Sequence, residues 1–362
     1  MTTAGHGVAP RLPSDDVARQ LDGYFAALEA ACRAAGDRAG RTVATLNLAG
    51  RVVRLEVAGE PAAAALVPAL AHATQAAAAT LDFEVLVWDG ASTGVPLPPP
   101  PWSWPAPGAA VRLSLPAGGG GYRIPPSRDS GSFAMFSLAD RRAVVWLADA
   151  AALPWHERAA PLRQIWQWWS AAGGVRIVHA GCVGTEAGAA LLVGRGGSGK
   201  SSTAVLAALA GLDYVSDDYC LLEPEPVPVA YALYSTAKLH PDHLARLPGL
   251  PPAAVLRPIE AGEKAVVFLE RAAPERMASR LPVRSVIAPC VTGVDRPRLE
   301  RLSPARALLA LAPSTLMQLY RHSGSGCEDL ADLVRRLPCW RLELGGGLAD
   351  VPDLLRRHLE AV

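Results

Sequence analysis

Apolar residues recur along this chain at two spacings, and the change from one to the other divides it. After a capping triplet at Ser14, Asp15 and Asp16, the apolar positions fall at helical intervals as far as a glycine stop at Gly36, which predicts an opening helix. Residues 42–49 and 51–58 then alternate with period two on either side of Gly50, the pattern of two strands and a turn. A second helix is predicted over 61–79 and a buried strand over 81–90. Four consecutive prolines at 98–101 and the alternation of Trp with Pro around them make 91–109 an extended loop, and the glycines of 117–121 mark another. Strands at 132–139 and 142–148 follow, turned by Asp140, Arg141 and Arg142. The segment 156–174 reads as a helix whose Trp166, Trp168 and Trp169 are expected to pack between domains rather than to stack a ligand.

Beyond residue 175 the order becomes strand (176–184), strand (189–194), glycine loop, helix (202–210) and short strand (212–216), an α/β layout. Further strands are expected at 219–224, 230–235, 264–270, 282–291 and 340–345, with helices at 240–247, 303–312, 327–337 and 350–362. The expected division is an α+β domain over 1–170, with a role in recognising an acceptor, and a nucleotide-binding domain over 171–362. At 362 residues, two domains are the simplest arrangement.

A net charge of +1 leaves no basic footprint, which argues against nucleic acid as a partner. The six cysteines, Cys32, Cys182, Cys220, Cys290, Cys327 and Cys339, are scattered without metal-binding spacing, so a reducing cytoplasm is expected. The first residues carry neither a basic nor an apolar block, so no signal peptide is expected. No apolar run reaches the ~18 residues that a bilayer span requires, so no membrane partner is expected either.

The most informative stretch is 194–201, Gly-Arg-Gly-Gly-Ser-Gly-Lys-Ser, which fits G-x-x-x-x-G-K-[ST] between an apolar strand and a helix. In such a loop the backbone amides of Gly194, Gly196, Gly197, Ser198 and Gly199 line an anion site, and the helix N-terminus, with Ser202 in its first turn, adds its positive dipole end. Lys200 would reach the β/γ-phosphates and Ser201 would hold Mg²⁺. Gly194, Gly196 and Gly199 also satisfy G-x-G-x-x-G, with Asp217 and Asp218 near the distance of a dinucleotide fold's ribose carboxylate. Lys200 decides against that alternative, because a cation in a helix's first turn opposes the macrodipole unless a polyanion sits beside it. Asp217 and Asp218 end the strand after the loop helix. In a parallel sheet their side chains would emerge beside the phosphates, one to hold the metal and one to orient or deprotonate a nucleophile.

The succession His179-Ala180-Gly181, glycine loop, strand 212–216 and Asp217-Asp218 resembles the core of HPr kinase/phosphorylase and its kinase relatives. The resemblance covers 171–245 and extends, through the strand near 340–345 and the last helix, to the chain's end. It implies an α/β fold with a P-loop core of the HPr kinase C-terminal type, and ATP and Mg²⁺ as cofactors. It further implies Lys200 on the β/γ-phosphates, Ser201 and Asp218 at Mg²⁺, Asp217 as the base, and His179 orienting or charge-balancing that aspartate. The family's Glu-Ile-Arg-Gly type segment has no counterpart, so neither phosphorolysis nor HPr as acceptor is implied. The chain then looks more like the HPr-kinase-like enzymes that phosphorylate serine, including those tailoring lasso-peptide precursors.

The expected partner is a peptide or small-molecule hydroxyl acceptor, with a metabolite kinase as the alternative and a homo-oligomer left open. A P-loop ATPase switch is disfavoured, since neither Asn-Lys-x-Asp nor Leu-Ser-Gly-Gly-Gln occurs. Lys238 reads as a solvated surface charge or, alternatively, a phosphate or substrate contact. Arg284 and Arg301 are candidates for neutralising phosphate charge. His240 and His243 share H-x-x-H spacing but lack a third ligand, and Gly324, Ser325 and Gly326 read as a loop.

Overall fold

The computed structural model describes residues 14–101, 121–124, 131–245, 247, 249–256, 262–319 and 326–362. The proline-tryptophan segment beyond 101, most of the glycine stretch at 117–121, and Gly324 and Ser325 lie outside the described residues. Two compact units emerge, one of residues 1–43, 55–63 and 83–151 and one of 44–54, 64–82 and 152–362. No helix among the described residues is long and apolar enough to cross a membrane.

In the first unit the opening helix, Ser14–Ala39, sets Leu21, Tyr24, Phe25, Leu28 and Cys32 against Leu86, Trp88, Met135 and Val144. A six-stranded sheet contains β1 (Arg41–Leu48), β2 (Arg51–Ala58), β3 (Phe83–Asp89), β4 (Tyr122–Arg123), β5 (Ser132–Ser137) and β6 (Arg142–Leu147), in the order β1-β2-β3-β6-β5-β4, of which β3 to β6 lie wholly in this unit while residues 44–54 of β1 and β2 are grouped with the second. Arg142 ties the helix to the sheet by ion pairs to Glu29 at 2.5 Å and Glu84 at 2.6 Å.

Two expected helices are interrupted, both at proline. The one over 61–79 becomes the helix Glu60–Leu66 and a 3-10 turn, Pro68–Ala73, because Pro68 lacks the N–H that the next helical bond needs. The one over 156–174 becomes Trp155–Ala159 and Arg163–Ala172, parted by Pro161 and a left-handed Leu162 at φ 57°. These two helices belong to the second unit, whose segments 44–54 and 64–82 interleave in the chain with those of the first. The attachment is specific: Thr236 Oγ1 donates to Ala159 O at 2.5 Å and Tyr234 Oη to Pro161 O at 2.8 Å.

The second unit contains β7 (Arg176–Val178), β8 (Gly181–Thr185), β9 (Gly188–Leu192), β10 (Asp213–Ser216), β11 (Cys220–Glu223), β12 (Val229–Ala232), β13 (Thr236–Leu239), β14 (Val255–Leu256), β15 (Ala265–Phe268), β16 (Arg280–Val294), β17 (Arg298–Arg301) and β18 (Cys339–Gly345). A nine-stranded sheet runs β10-β8-β9-β16-β12-β11-β7, with β18 also beside β16 and β17 beside β18; β13-β15-β14 form a smaller sheet. The expected strand 176–184 is thus two strands with different neighbours, β7 on β11 and β8 between β9 and β10.

The sheet is mixed rather than parallel around the loop. β8 is antiparallel to both β9 and β10, so β9 and β10 point the same way with an antiparallel strand between them. Both faces of β9 are covered. Leu191 and Val193 join Leu311, Leu330 and Leu333 on one side, while Ala190 and Leu192 join Val205, Leu342 and Leu355 on the other. That explains why β9 reads as an unbroken apolar run.

Candidate active site

One edge of the large sheet gathers the chemistry. The glycine loop leaves the end of β9, Asp217 leaves the end of β10, and His179 immediately precedes the Ala180-Gly181 entry into β8. Gly181 pairs with Leu192 and Ser216 with Cys182, so the three departures are level across neighbouring strands.

The loop depends on glycine at three places, at Gly197 for its φ of 80° alone and at Gly194 and Gly199 for close approach as well. Gly194 has φ 148°, and a Cβ there would lie 2.6 Å from Ser198 Oγ; Gly199, the residue before the helix Lys200–Leu209, has φ 105°, and a Cβ would lie 2.5 Å from Leu344 Cδ1. By contrast, nothing stands within 4 Å of where a Cβ would project from Gly196 or Gly197, so the loop's crest borders open space. Lys200 is buried and donates from Nζ to Gly194 O at 2.6 Å and Arg195 O at 3.3 Å. Burial lowers its pKa, while the Asp217 carboxylate opposes that shift.

Asp217 and Asp218 face different surroundings. Tyr219 N donates to Asp217 O at 2.6 Å across Asp218, whose φ is 60°, which makes a tight three-residue turn about Asp218. Asp217 is only 1% exposed; it faces Ser201, accepts from Lys238 N at 3.3 Å through Oδ2, and leaves Oδ1 without a partner. Burial raises its pKa against the opposing pull of Ser201 and Lys200. Asp218 instead receives His179 Nε2 on Oδ1 at 3.2 Å and the Lys238 ammonium on Oδ2.

Two expectations change here. His179 touches Asp218, not Asp217. Burial, with Lys200 and Lys238 nearby, pushes its pKa down to about 3, so it is neutral and orients the carboxylate without balancing its charge. The charge is balanced by Lys238, which is buried against the site rather than solvated. Its ammonium lies 5.3 Å from the Tyr219 ring centroid and 6.0 Å from that of Trp155, and burial pushes its pKa down to about 8.

Ser202 contacts His243 Nδ1 through Oγ at 3.3 Å. His240 and His243 have ring centroids 6.0 Å apart, and no group of three metal-ligating side chains occurs among the described residues. Arg284 and Arg301 are not brought to this edge. Arg284 lies beside Gly188, at the start of β9, and Arg301 stacks 4.1 Å over Trp340, near the start of β18. Sequence reasoning missed Lys264, whose charge reaches Lys200, His179 and Lys238 from the residue before β15, and Arg163, which bonds Tyr219. The only signal for Arg163 was a cation at the start of a helix, where the dipole disfavours one.

The residues gathered here are of the kinds that could hold a magnesium nucleotide. Asp217 Oδ1 and Ser198 Oγ are buried polar atoms without protein partners, beside an open glycine crest and a buried ammonium.

No protein-family model matches the chain. No curated protein matches it either. Among solved structures it is similar to the HPr(Ser) kinase/phosphatase from Coxiella burnetii, at 12% identity and a TM-score of 0.27, over 51% of this chain and 97% of that one. This is a distant likeness, and the functional reading below rests on the site itself.

Proposed function

We propose that the chain is an ATP- and Mg²⁺-dependent phosphotransferase of the HPr-kinase-like type. It would transfer the γ-phosphoryl group to a serine or similar hydroxyl, foremost of a peptide such as a ribosomal peptide precursor, with a small hydroxylated metabolite as the alternative acceptor. One observation carries this reading: a glycine loop with a buried lysine and two differently solvated aspartates meet at one sheet edge, and the buried aspartate keeps an oxygen free.

In this reading the loop amides of Gly194, Gly196, Gly197, Ser198 and Gly199 cradle the phosphates, and Lys200 exchanges its two loop carbonyls for phosphate oxygens. Ser201 and Asp217 would hold Mg²⁺, which offsets phosphate charge when bound. Asp218 accepts the acceptor hydroxyl's proton. The neutral His179 fixes one of its oxygens, and Lys238 keeps the carboxylate ionised. The metal and base roles are therefore exchanged relative to those the resemblance implies, because Asp217 is the carboxylate that lies beside Ser201.

The test is transfer from γ-labelled ATP to serine peptides and small hydroxylated acceptors. Labelled product with the wild type and none with a folded Lys200→Ala variant is expected. Nucleotide hydrolysis without any phosphorylated product, or full activity in the variant, refutes the reading.

A further inference from the structure

Lys264 immediately precedes β15, and the pairing of β13 with β15 fixes its side. Val266 pairs with Lys238 and Ala265 with Leu239, so Lys264, two residues before Val266, falls on the face that carries Lys238 and is its diagonal neighbour. Such neighbours lie roughly 7–8 Å apart across a ladder. The same face holds Val266, Phe268 and Trp155, and the Lys238 ammonium lies 6.0 Å from the Trp155 ring centroid. Lys264 is half-buried, and among the described residues its side chain has no hydrogen bond or ion pair. Its charge instead opposes those of Lys200 and Lys238 and the protonation of His179. The other cations at this edge have counterparts: Lys238 is paired with Asp218, the Asp217 carboxylate favours the charge of Lys200, and Glu157 favours that of Arg163. Lys264 is left over. A partly desolvated ammonium beside two others raises the free energy of all three unless an anion joins them.

The reach of Lys264 says which anion that is. Lys200 belongs to the glycine loop, whereas Lys238 and His179 are the groups that hold Asp218. A cation within range of both sets stands between the nucleotide and the base, where the transferred group passes. We propose that Lys264 is a catalytic residue that binds the oxygens of the γ-phosphoryl group as it moves from the nucleotide to the acceptor. This rests on the phosphotransferase reading and on Asp218 as its base. In that step a bond forms between the acceptor oxygen and the γ-phosphorus, and the bond from that phosphorus to the β–γ bridging oxygen breaks. ADP leaves with the electron pair, and the hydroxyl proton passes to Asp218. Lys264 keeps its own proton and offsets the charge spread over the phosphoryl oxygens. Lys238 is engaged in holding Asp218, and Arg284 and Arg301 lie away from this edge, so the task falls to Lys264.

The experiment uses the full chain as wild type, Lys264→Gln and Lys264→Arg. A fluorescent ADP reports nucleotide affinity. Single turnovers of γ-labelled ATP are followed with serine peptides and small hydroxylated compounds as acceptors, and phosphorylated product is separated from free phosphate. Lys264→Gln should bind ADP within about 2-fold of the wild type yet transfer about 10²–10³-fold more slowly at saturating ATP and acceptor, the range for loss of one preorganised charge-stabilising group. Lys264→Arg should recover at least ~10-fold of that loss, since the charge is restored. Undiminished transfer in Lys264→Gln, a loss of ADP affinity in step with turnover, or a raised acceptor KM at an unchanged saturated rate overturns the proposal and leaves the kinase. Free phosphate without phosphorylated product from the wild type refutes the kinase. If that release slows in Lys264→Gln and returns in Lys264→Arg, the contact to the γ-phosphoryl group stands with water as acceptor; if it does not, both fall. A wild type that leaves ATP intact refutes both.

Discussion

Replacing each aspartate separately with asparagine tests the division of labour between Asp217 and Asp218. Asparagine keeps the shape of aspartate and removes its charge. In Asp218→Asn, one end of the amide becomes a donor, although both groups that face the carboxylate, His179 Nε2 at 3.2 Å and the Lys238 ammonium, also donate. Only one of them can be satisfied, and a partly buried ammonium loses its counter-charge, at a stability cost of about 1–3 kcal/mol. A fold of this size can carry that loss, so the variant should remain folded with its glycine loop intact. Nucleotide affinity should hardly change, whereas turnover should fall by about 10²–10⁴, the range for loss of a positioned base. That corresponds to roughly 3–5 kcal/mol on the barrier.

Asp217→Asn should behave differently. Asp217 has one oxygen without a partner and another on the Lys238 amide, so an asparagine is tolerated sterically, but the site loses the negative charge beside Ser201. Mg²⁺-dependent nucleotide binding should weaken by at least ~10-fold, and part of the lost turnover should return as Mg²⁺ is raised. Single-turnover transfer from γ-labelled ATP across a Mg²⁺ titration, with a fluorescent nucleotide reporting affinity, separates the two patterns. If Asp218→Asn shifts the Mg²⁺ requirement while Asp217→Asn loses turnover at unchanged affinity, the exchanged roles are refuted and the assignment implied by the sequence resemblance stands.

Two further outcomes follow from the same geometry. Gly199→Ala would place a Cβ at φ 105° and 2.5 Å from Leu344 Cδ1; the leucine tip can yield but the backbone cannot, so a loss of roughly 1–3 kcal/mol is expected, read as a lower Tm and reduced stabilisation by nucleotide. Burial pushes the pKa of His72 down to about 4 and that of His179 to about 3, so below pH 6.5 the unfolded chain takes up protons that the native chain refuses, and stability present above pH 6.5 is lost as pH falls. Each imidazole contributes about 1.4 kcal/mol per pH unit in its window, so urea midpoints measured from pH 6.5 to 4 should fall less steeply for His179→Asn than for the wild type; equal slopes would mean that His179 is not held neutral.

Sequence pattern exposed the loop because its demands are local. The glycines answer to backbone conformation within eight residues, and the apolar run before them to burial of β9 on both faces. Proline positions 68 and 161 were equally local, yet the helical spacing on either side of each overrode them in the expectation, while the missing N–H overrode the spacing in the fold. Lys238 and Arg163 were hidden for the opposite reason. β13 belongs to a separate small sheet, in which Lys238 pairs with Val266, and the segment just before the helix of Arg163 is joined to that region through Tyr234 and Thr236, so their approach to Asp218 depends on pairings between distant segments that no local window of sequence contains.

The two aspartates show where a motif stops specifying chemistry. Adjacent residues at a strand end point to opposite sides of the chain, and the pair Asp-Asp does not say which side meets the loop. That is set by the turn after β10. With Asp218 in the left-handed region and Tyr219 N bonded back to Asp217 O, Asp217 stays with the strand and turns inward to Ser201, while Asp218 turns toward His179 at the β7–β8 break. A non-glycine residue held at φ 60° costs free energy that packing elsewhere must offset, and a conformation of this kind persists where the direction of one side chain matters. The strain sits on the residue proposed to receive the proton, and its carboxylate is fixed on one oxygen by a neutral imidazole and on the other by a lysine from another sheet. An acceptor hydroxyl approaching that carboxylate would meet a base whose direction is set before binding, so that little reorganisation remains for the transfer itself.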